Sequence, residues 1–213
     1  MGTTERAILF VDGNNWYHGL KEAGVKDQMG LDWVRIAKKL VGPRQWIGTR
    51  YYVGRVEQQG NARLYANQRL FHETFARANS SHTMHYGRLE SQPVESEAAR
   101  ELLEYLGQLK VRLDQTVYQD LVELGKRHRR TQVRVEKAVD VMVAVDMVTM
   151  ACNNAYDTAY LLSADGDYTH AAEFVKQRGL KVFAVSASPG AQLARVVNNF
   201  IRVDLPWFNG LYR

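Results

Sequence analysis

The stretch AYLLSADGDYTHAAEFVKQRG, Ala159–Gly179, holds the reading on which the fold depends. Its apolar start is a buried strand, TAYLLS from Thr158. Two carboxylates one residue apart, Asp165 and Asp167, follow at the strand tip. A helical pattern then runs to Gly179, which stops it, and KVFAVSAS resumes as a strand. Strand, turn, helix, strand is the unit of a parallel sheet, because a parallel partner needs a crossover connection. Asp-Gly is also a common turn, and Asp167 stands where a helix N-cap would stand. The pair therefore reads either as a capped turn or as a charged site.

Working outward, the same unit recurs. RAILFVDGNN, Arg6–Asn15, is an apolar run broken by Asp-Gly, with the strand placed at Arg6 to Val11. NWYHGLKEAG is a short helix or turn. DWVRIAKKLVG is framed by Asp32 as N-cap and Gly42 as stop. QWIGTRYYVG is a second strand, NARLYANQRLFHETFARAN a helix with Leu64, Phe71 and Phe75 at helical spacing, and TMHYGRL a third strand. GAQLARVVN and FIRVD close the chain as a helix and a strand. Strands alternate with helices throughout, and most are uninterrupted apolar runs, as when both sheet faces are covered. The expected fold class is α/β: a three-layer sandwich with a mainly parallel sheet.

One section departs from the alternation. From Pro93 to about Arg130 no strand is expected; two amphipathic helices carry Leu102, Leu106, Leu109 and Leu113, then Val117, Leu121 and Leu124. The 213 residues suit one domain, 1–213, with a helical insertion at about 93–130. The insertion is a candidate cap, partner site or homo-oligomer contact.

Composition narrows the class. A hydrophobic share of 46% with 24% charged residues is ordinary for a globular protein. No run is long enough to span a bilayer, and MGTTERAILF lacks a signal layout, so no membrane role is expected. A lone cysteine, Cys152, excludes an internal disulfide framework and suits a reducing, cytoplasmic setting. The net charge of +5 favours polyanion partners, nucleic acid above all.

The acidic residues sharpen this. In open parallel α/β sheets, ligands bind beyond the carboxyl ends of the strands. Two strands end alike, delivering Asp12 and the Asp165–Asp167 pair. If these strands are neighbours at the switch of strand order, three anions converge and call for a hard divalent cation, Mg²⁺ or Mn²⁺. KAVDVMVAVDMVTMAC, a buried helix from about Lys137 to Cys152, carries Asp140 and Asp146 among apolar residues, where an ionised carboxylate needs a partner. Six residues turn a helix by roughly 600°, so the two lie about 120° apart and do not serve one site equally. Asp146 reads alternatively as pairing with a backbone amide or an arginine.

Together FVDGNNWYHGL and EKAVDVMVAVDMVTMACNNAYDTAYLLSADGDYTHAAEFVKQRGLKVFAVSAS resemble the NYN domains of the LabA-like group, in the PIN-like nuclease superfamily. The matching motifs are Asp-Gly-x-Asn, Lys-x-Val-Asp-Val and Ser-x-Asp-x-Asp-Tyr. The resemblance implies a PIN-like sandwich and a metal-dependent ribonuclease site. It implies Asp12, Asp140, Asp165 and Asp167 as metal-holding and catalytic residues, with Asn15 placing water or phosphate. Asn15 reads otherwise as a turn residue, and Ser163 as a hydroxyl orienting a carboxylate or simply satisfied. The helical section departs from the compact family pattern.

The implied partner is nucleic acid, RNA ahead of DNA. Lys126, Arg127, Arg129, Arg130, Arg134 and Lys137 form a basic run leading to Asp140, with Arg130, Arg134 and Lys137 as phosphate contacts. Tyr168, Trp16 and Tyr17 read either as base-stacking or as core residues. His82 and His85 fall on opposite faces of a strand rather than in a zinc site. LLSADGDYT also fits a haloacid-dehalogenase-like phosphatase, but that fold needs a later lysine, and none follows Lys181. The rival of another class is a non-catalytic RNA-binding or regulatory module on the same scaffold.

Overall fold

The computed structural model describes residues 4–56 and 62–213. Side chains of Leu89, of 91–93 and of 131–136 lie outside that description. The elements run β1 (Arg6–Asp12), α1 (Gly13–Glu22), α2 (Trp33–Val41), β2 (Gln45–Arg55), α3 (Ala62–Ala78), β3 (His82–Glu95), α4 (Glu97–Leu109), α5 (Gln115–Arg127), β4 (Arg130–Lys137), α6 (Val139–Cys152), β5 (Thr158–Leu162), α7 (Thr169–Gln177), β6 (Lys181–Ser186), α8 (Ala191–Val196) and β7 (Asn199–Arg202). Short 3-10 turns occupy Gly166–Tyr168 and Leu205–Phe208.

The strand order is β4-β3-β2-β1-β5-β6-β7. β1 pairs in parallel with β2 and β5, β2 with β3, β5 with β6, and β6 with β7. The order reverses at β1, with β2 on one side and β5 on the other, so the switch point, where such sheets bind ligands, lies at the ends of β1 and β5. The α/β class and the mainly parallel sheet are as the alternation of elements required.

The pleat sorts β1 onto two faces. Leu9 and Val11 pack with Trp16, Trp33, Ile36, Tyr51 and Phe208. Ile8 and Phe10 pack with Tyr52, Val143, Met147, Tyr168 and Leu193. Helices α1 and α2 thus cover one face, and α6, α7 and α8 the other. Burying whole apolar strands this way contributes about 25 cal/mol per Å² of apolar surface. The helix ends follow local chemistry. Asp32 caps α2, accepting from the Val34 and Arg35 amides at 3.0 and 3.1 Å. Gly42 and Gly179 end their helices at φ 59° and 81°, a region glycine enters without a Cβ penalty.

Contacts divide the chain into two compact units, one of residues to Arg88 with Lys137–Arg213, the other Leu89–Glu136. Within the second, Ser96 caps α4 by accepting from the Ala99 amide, and Asp114 caps α5. Leu106 is buried, whereas Leu102, Val117 and Leu124 are exposed. Two expectations are corrected here. β3 continues through Pro93 to Glu95, and β4 occupies Arg130–Lys137, where a basic run without a strand was read. Pro93 has no N–H to give a ladder, but pairing with β2 ends at Arg88, so no bond is lost from that ladder. In β4 the alternation Val133, Arg134, Val135, Glu136 carries the strand period, which the density of charge obscured.

Candidate active site

The pleat that sends Val11 to one face sends the next residue, Asp12, to the other, at the carboxyl end of β1. Asp12 is only 3% exposed. It also N-caps α1, its Oδ1 accepting from the Asn15 amide at 3.1 Å. Gly13 lets this turn close against β2, since a Cβ there would stand 2.6 Å from the Tyr52 carbonyl oxygen. Asp140 lies in the first turn of α6, where the helix N-terminus favours a carboxylate.

Tyr168 joins the two. Its hydroxyl lies 3.0 Å from Asp12 Oδ2 and 2.9 Å from Asp140 Oδ1. The phenol has one proton to donate, so the carboxylates share it. Ser163 donates to Asp12 Oδ2 at 3.3 Å and accepts from the Asp165 amide at 3.1 Å. Asn15 Oδ1 accepts from the Ala164 amide at 3.0 Å, tying the end of β1 to the end of β5. Burial, foremost, and the nearby Asp140 charge push the Asp12 carboxyl above its ordinary value, while bonds from Asn15, Tyr168 and Ser163 pull the other way. Burial and both carboxylates push the Tyr168 phenol far up, so it stays protonated.

The other two carboxylates sit on the adjacent turn. Asp165 Oδ1 accepts from the Asp167 amide at 3.0 Å, capping the 3-10 turn. Asp167 is exposed and does not cap α7, which has no side-chain cap; the cap belongs to Asp165 because a 3-10 turn precedes the helix. Among the described residues, no group of three or more histidine, cysteine or carboxylate side chains stands ready to hold a metal ion. The donor chemistry of Asp12 and Asp140 nevertheless suits a hard cation: two carboxylates, oxygen only, aimed at one shared proton.

Tyr168 requires a correction. It is fully buried and cannot stack on a base; its hydroxyl, not its ring face, enters the site. Trp16 is likewise buried, while Tyr17 is about half exposed. Arg130 and Lys137 are exposed. The Arg134 side chain lies outside the described residues.

The partner of Asp146 was open in the sequence and is an arginine. Asp146 Oδ2 accepts from Arg50 Nη2 at 2.7 Å, Arg50 Nε at 3.2 Å and the Tyr52 hydroxyl at 2.7 Å. Burial alone would raise its pKa, but the Tyr52 and Arg50 bonds hold it below its ordinary value. The readable signal was Arg50 and Tyr52 two residues apart in TRYYVG, hence on one strand face.

The NYN domain family model matches residues 6–204. No curated protein matches the chain. A crystal structure of a protein of unknown function from Vibrio parahaemolyticus shares the fold, with a TM-score of 0.59 at 16% identity over 96% of this chain and 98% of that one. At that identity the likeness speaks for the fold alone. The family match runs through all the segments that meet at the ends of β1 and β5, and the chain belongs to the NYN domain family of the PIN-like nuclease superfamily.

Proposed function

We propose that this protein is a metal-dependent ribonuclease that hydrolyses phosphodiester bonds, as its likeness to the LabA-like group also suggests. The observation that carries the reading is the pairing of Asp12 with Asp140 through one phenol, at the strand ends where the strand order reverses. Asp12 and Asp140, with Asp165 and Asp167, would hold Mg²⁺ or Mn²⁺. Such an ion, when bound, neutralises phosphate charge and lowers the pKa of a water.

The chain's own groups have separate tasks. The Asn15 side-chain carbonyl accepts from the Ala164 amide, which leaves the Nδ2 of the same side chain to donate to a phosphate oxygen. Ser163 and Tyr168 hold the Asp12 carboxylate in one orientation. Burial of Asp12 keeps water from screening its charge. Lys137, three residues before Asp140, is a proposed phosphate contact, and Arg130 and Arg134 are proposed on sequence alone.

The test is cleavage of end-labelled single-stranded RNA, and of DNA of the same sequence, with Mn²⁺, Mg²⁺ or EDTA. RNA is cut with either ion and not in EDTA. Asp12→Asn, Asp140→Asn and Asp165→Asn each lower the rate by about 100-fold or more, the scale of losing a group that stabilises the transition state. A non-catalytic RNA-binding module is the second reading, favoured by the absence of a three-ligand cluster among the described residues. RNA bound but never cut, with any divalent ion, decides for it.

A further inference from the structure

Within the unit Leu89–Glu136, helices α4 and α5 pack on each other. Their short connection makes them antiparallel. Leu103 lies against Gly125, where a Cβ would stand 2.8 Å from Leu103 Cδ2. Ala99, Leu106 and Gly125 are buried along that seam. A second set of apolar side chains is not buried. Leu102, Tyr105, Val117 and Leu124 are between 44% and 59% exposed, and Leu109 and Leu121 are half-buried. Large apolar side chains gathered on one exposed face mark an interaction surface.

Helical phase puts them on one face. An α-helix turns about 100° per residue. Leu102, Tyr105 and Leu109 therefore lie about a quarter turn from the seam residues Leu103 and Leu106. Val117, Leu121 and Leu124 lie about a quarter turn from Tyr118, Val122 and Gly125, in the same sequence sense. In antiparallel helices equal turns of one sense point to the same side, so the two stripes form a single apolar face. The opposite side carries Arg100, Glu104, Gln119, Glu123 and Lys126, all exposed. The contact of Leu103 with Gly125 sets the heights. Leu102 falls level with Leu124, Tyr105 with Leu121 and Leu109 with Val117, each within about 3 Å along the axis. Glu101 and Arg127 fall level at the two outer edges of the face, both exposed and neither in an ion pair among the described residues.

Such a face is complementary to itself. A two-fold axis parallel to the helices sets α4 opposite α5 of a second copy, antiparallel to it, with the rungs still level. Leu102 then meets Leu124 of the second copy, Tyr105 meets Leu121, and Leu109 meets Val117. The same operation brings Glu101 of each copy beside Arg127 of the other. We propose that this face is a homodimer interface, an antiparallel four-helix bundle formed hairpin on hairpin. Helices of 13 residues are about 20 Å long, and two side by side are about 20 Å wide, so the interface buries on the order of 1,000 Å² in all. That is the low end for a specific complex, and the dimer is accordingly weak and concentration-dependent. It does not depend on the ribonuclease reading.

Sedimentation velocity on the full chain, across roughly a hundredfold range of micromolar concentrations, tests this. The mass rises from that of one chain toward that of two. Tyr105→Glu and Leu124→Glu, both at exposed positions, keep the parent's melting temperature. Each weakens the dimer by about 100-fold or more, since each change enters the interface twice. Glu123→Ala, on the opposite side, leaves the dimer unchanged. Glu101→Arg weakens it by about fivefold, Arg127→Glu does the same, and the two together restore it. That rescue reads the contact between copies, because within one hairpin the two side chains lie on opposite edges. The mass of one chain at every concentration, or a dimer indifferent to Tyr105→Glu and Leu124→Glu, overturns the proposal. So does a monomer whose affinity for a single-stranded RNA hexamer falls in Tyr105→Glu, which assigns the face to nucleic acid.

Discussion

At the scale of residues, Asp12 is held where its charge is least favoured. Folded Asp12 binds its proton more tightly than unfolded Asp12 does, because burial raises its pKa. Its contribution to folding is thus most favourable in acid and declines as pH rises through the unfolded and then the folded value. Asp12→Asn is expected to be more stable than the parent at neutral pH, with the gap closing toward acid, by urea titration at several pH values. A variant no more stable at pH 7 would mean that Tyr168 and Ser163 fully offset burial. Asp146 has the opposite sign. Its folded pKa is lowered, so its stabilising share is present above the unfolded carboxylate value and is lost as pH falls through the folded one. Arg50→Ala leaves that half-buried carboxylate with the Tyr52 hydroxyl but no cation, costs about 1–3 kcal/mol, and flattens the acid side of the stability curve.

At the scale of elements, the turn before α6 carries strain. Ala138 takes φ 74° and gives the helix no side-chain cap. An L-residue there costs about 1–2 kcal/mol that glycine does not. Ala138→Gly is therefore expected to stabilise by about 1 kcal/mol, after the entropy cost of glycine is counted. Differential scanning calorimetry reads this as a rise of roughly 2–4 °C for a chain of this size. A lower melting temperature would show that the positive φ is held by something other than the turn. If the strain places Asp140 against Tyr168, the same variant also lowers RNA cleavage.

At the scale of the whole molecule, the net charge of +5 is the long-range signal. RNA affinity should fall with salt, with a slope of log K on log salt of about −2 if three cations neutralise phosphates on a single strand. Replacing Arg130, Arg134 or Lys137 by alanine should lower that slope by about 0.7 each. An unchanged slope in Lys137→Ala, read by fluorescence anisotropy across a salt series, excludes that residue as a contact. The parallel order around β1 is what makes one site of two distant motifs, since Asp12 and Ser163 are separated by 151 positions.

The sequence by itself determined the α/β class, the strand ends that carry Asp12 and Asp165, the helix that carries Asp140, and the Asp32 cap; the burial expected along that helix is confined to the stripe Val139, Val143, Met147 and Ala151, with Val141 and Val145 exposed. These are local: hydrophobic period, turn residues and cap residues act within a few positions. It also foresaw that Asp146 needs a partner, because an ionised carboxylate among valines and methionines is costly anywhere. Which partner answered was a tertiary matter. Only the pairing of β1 with β5 brought Ser163 to Asp12, and only the packing of α6 and α7 on one sheet face put the Tyr168 hydroxyl between Asp12 and Asp140. Residue type could not say that Tyr168 offers its hydroxyl rather than its ring, or that Asp165 caps its own turn. Those outcomes depend on which side chains meet across long separations, and the order of strands in the sheet decides that.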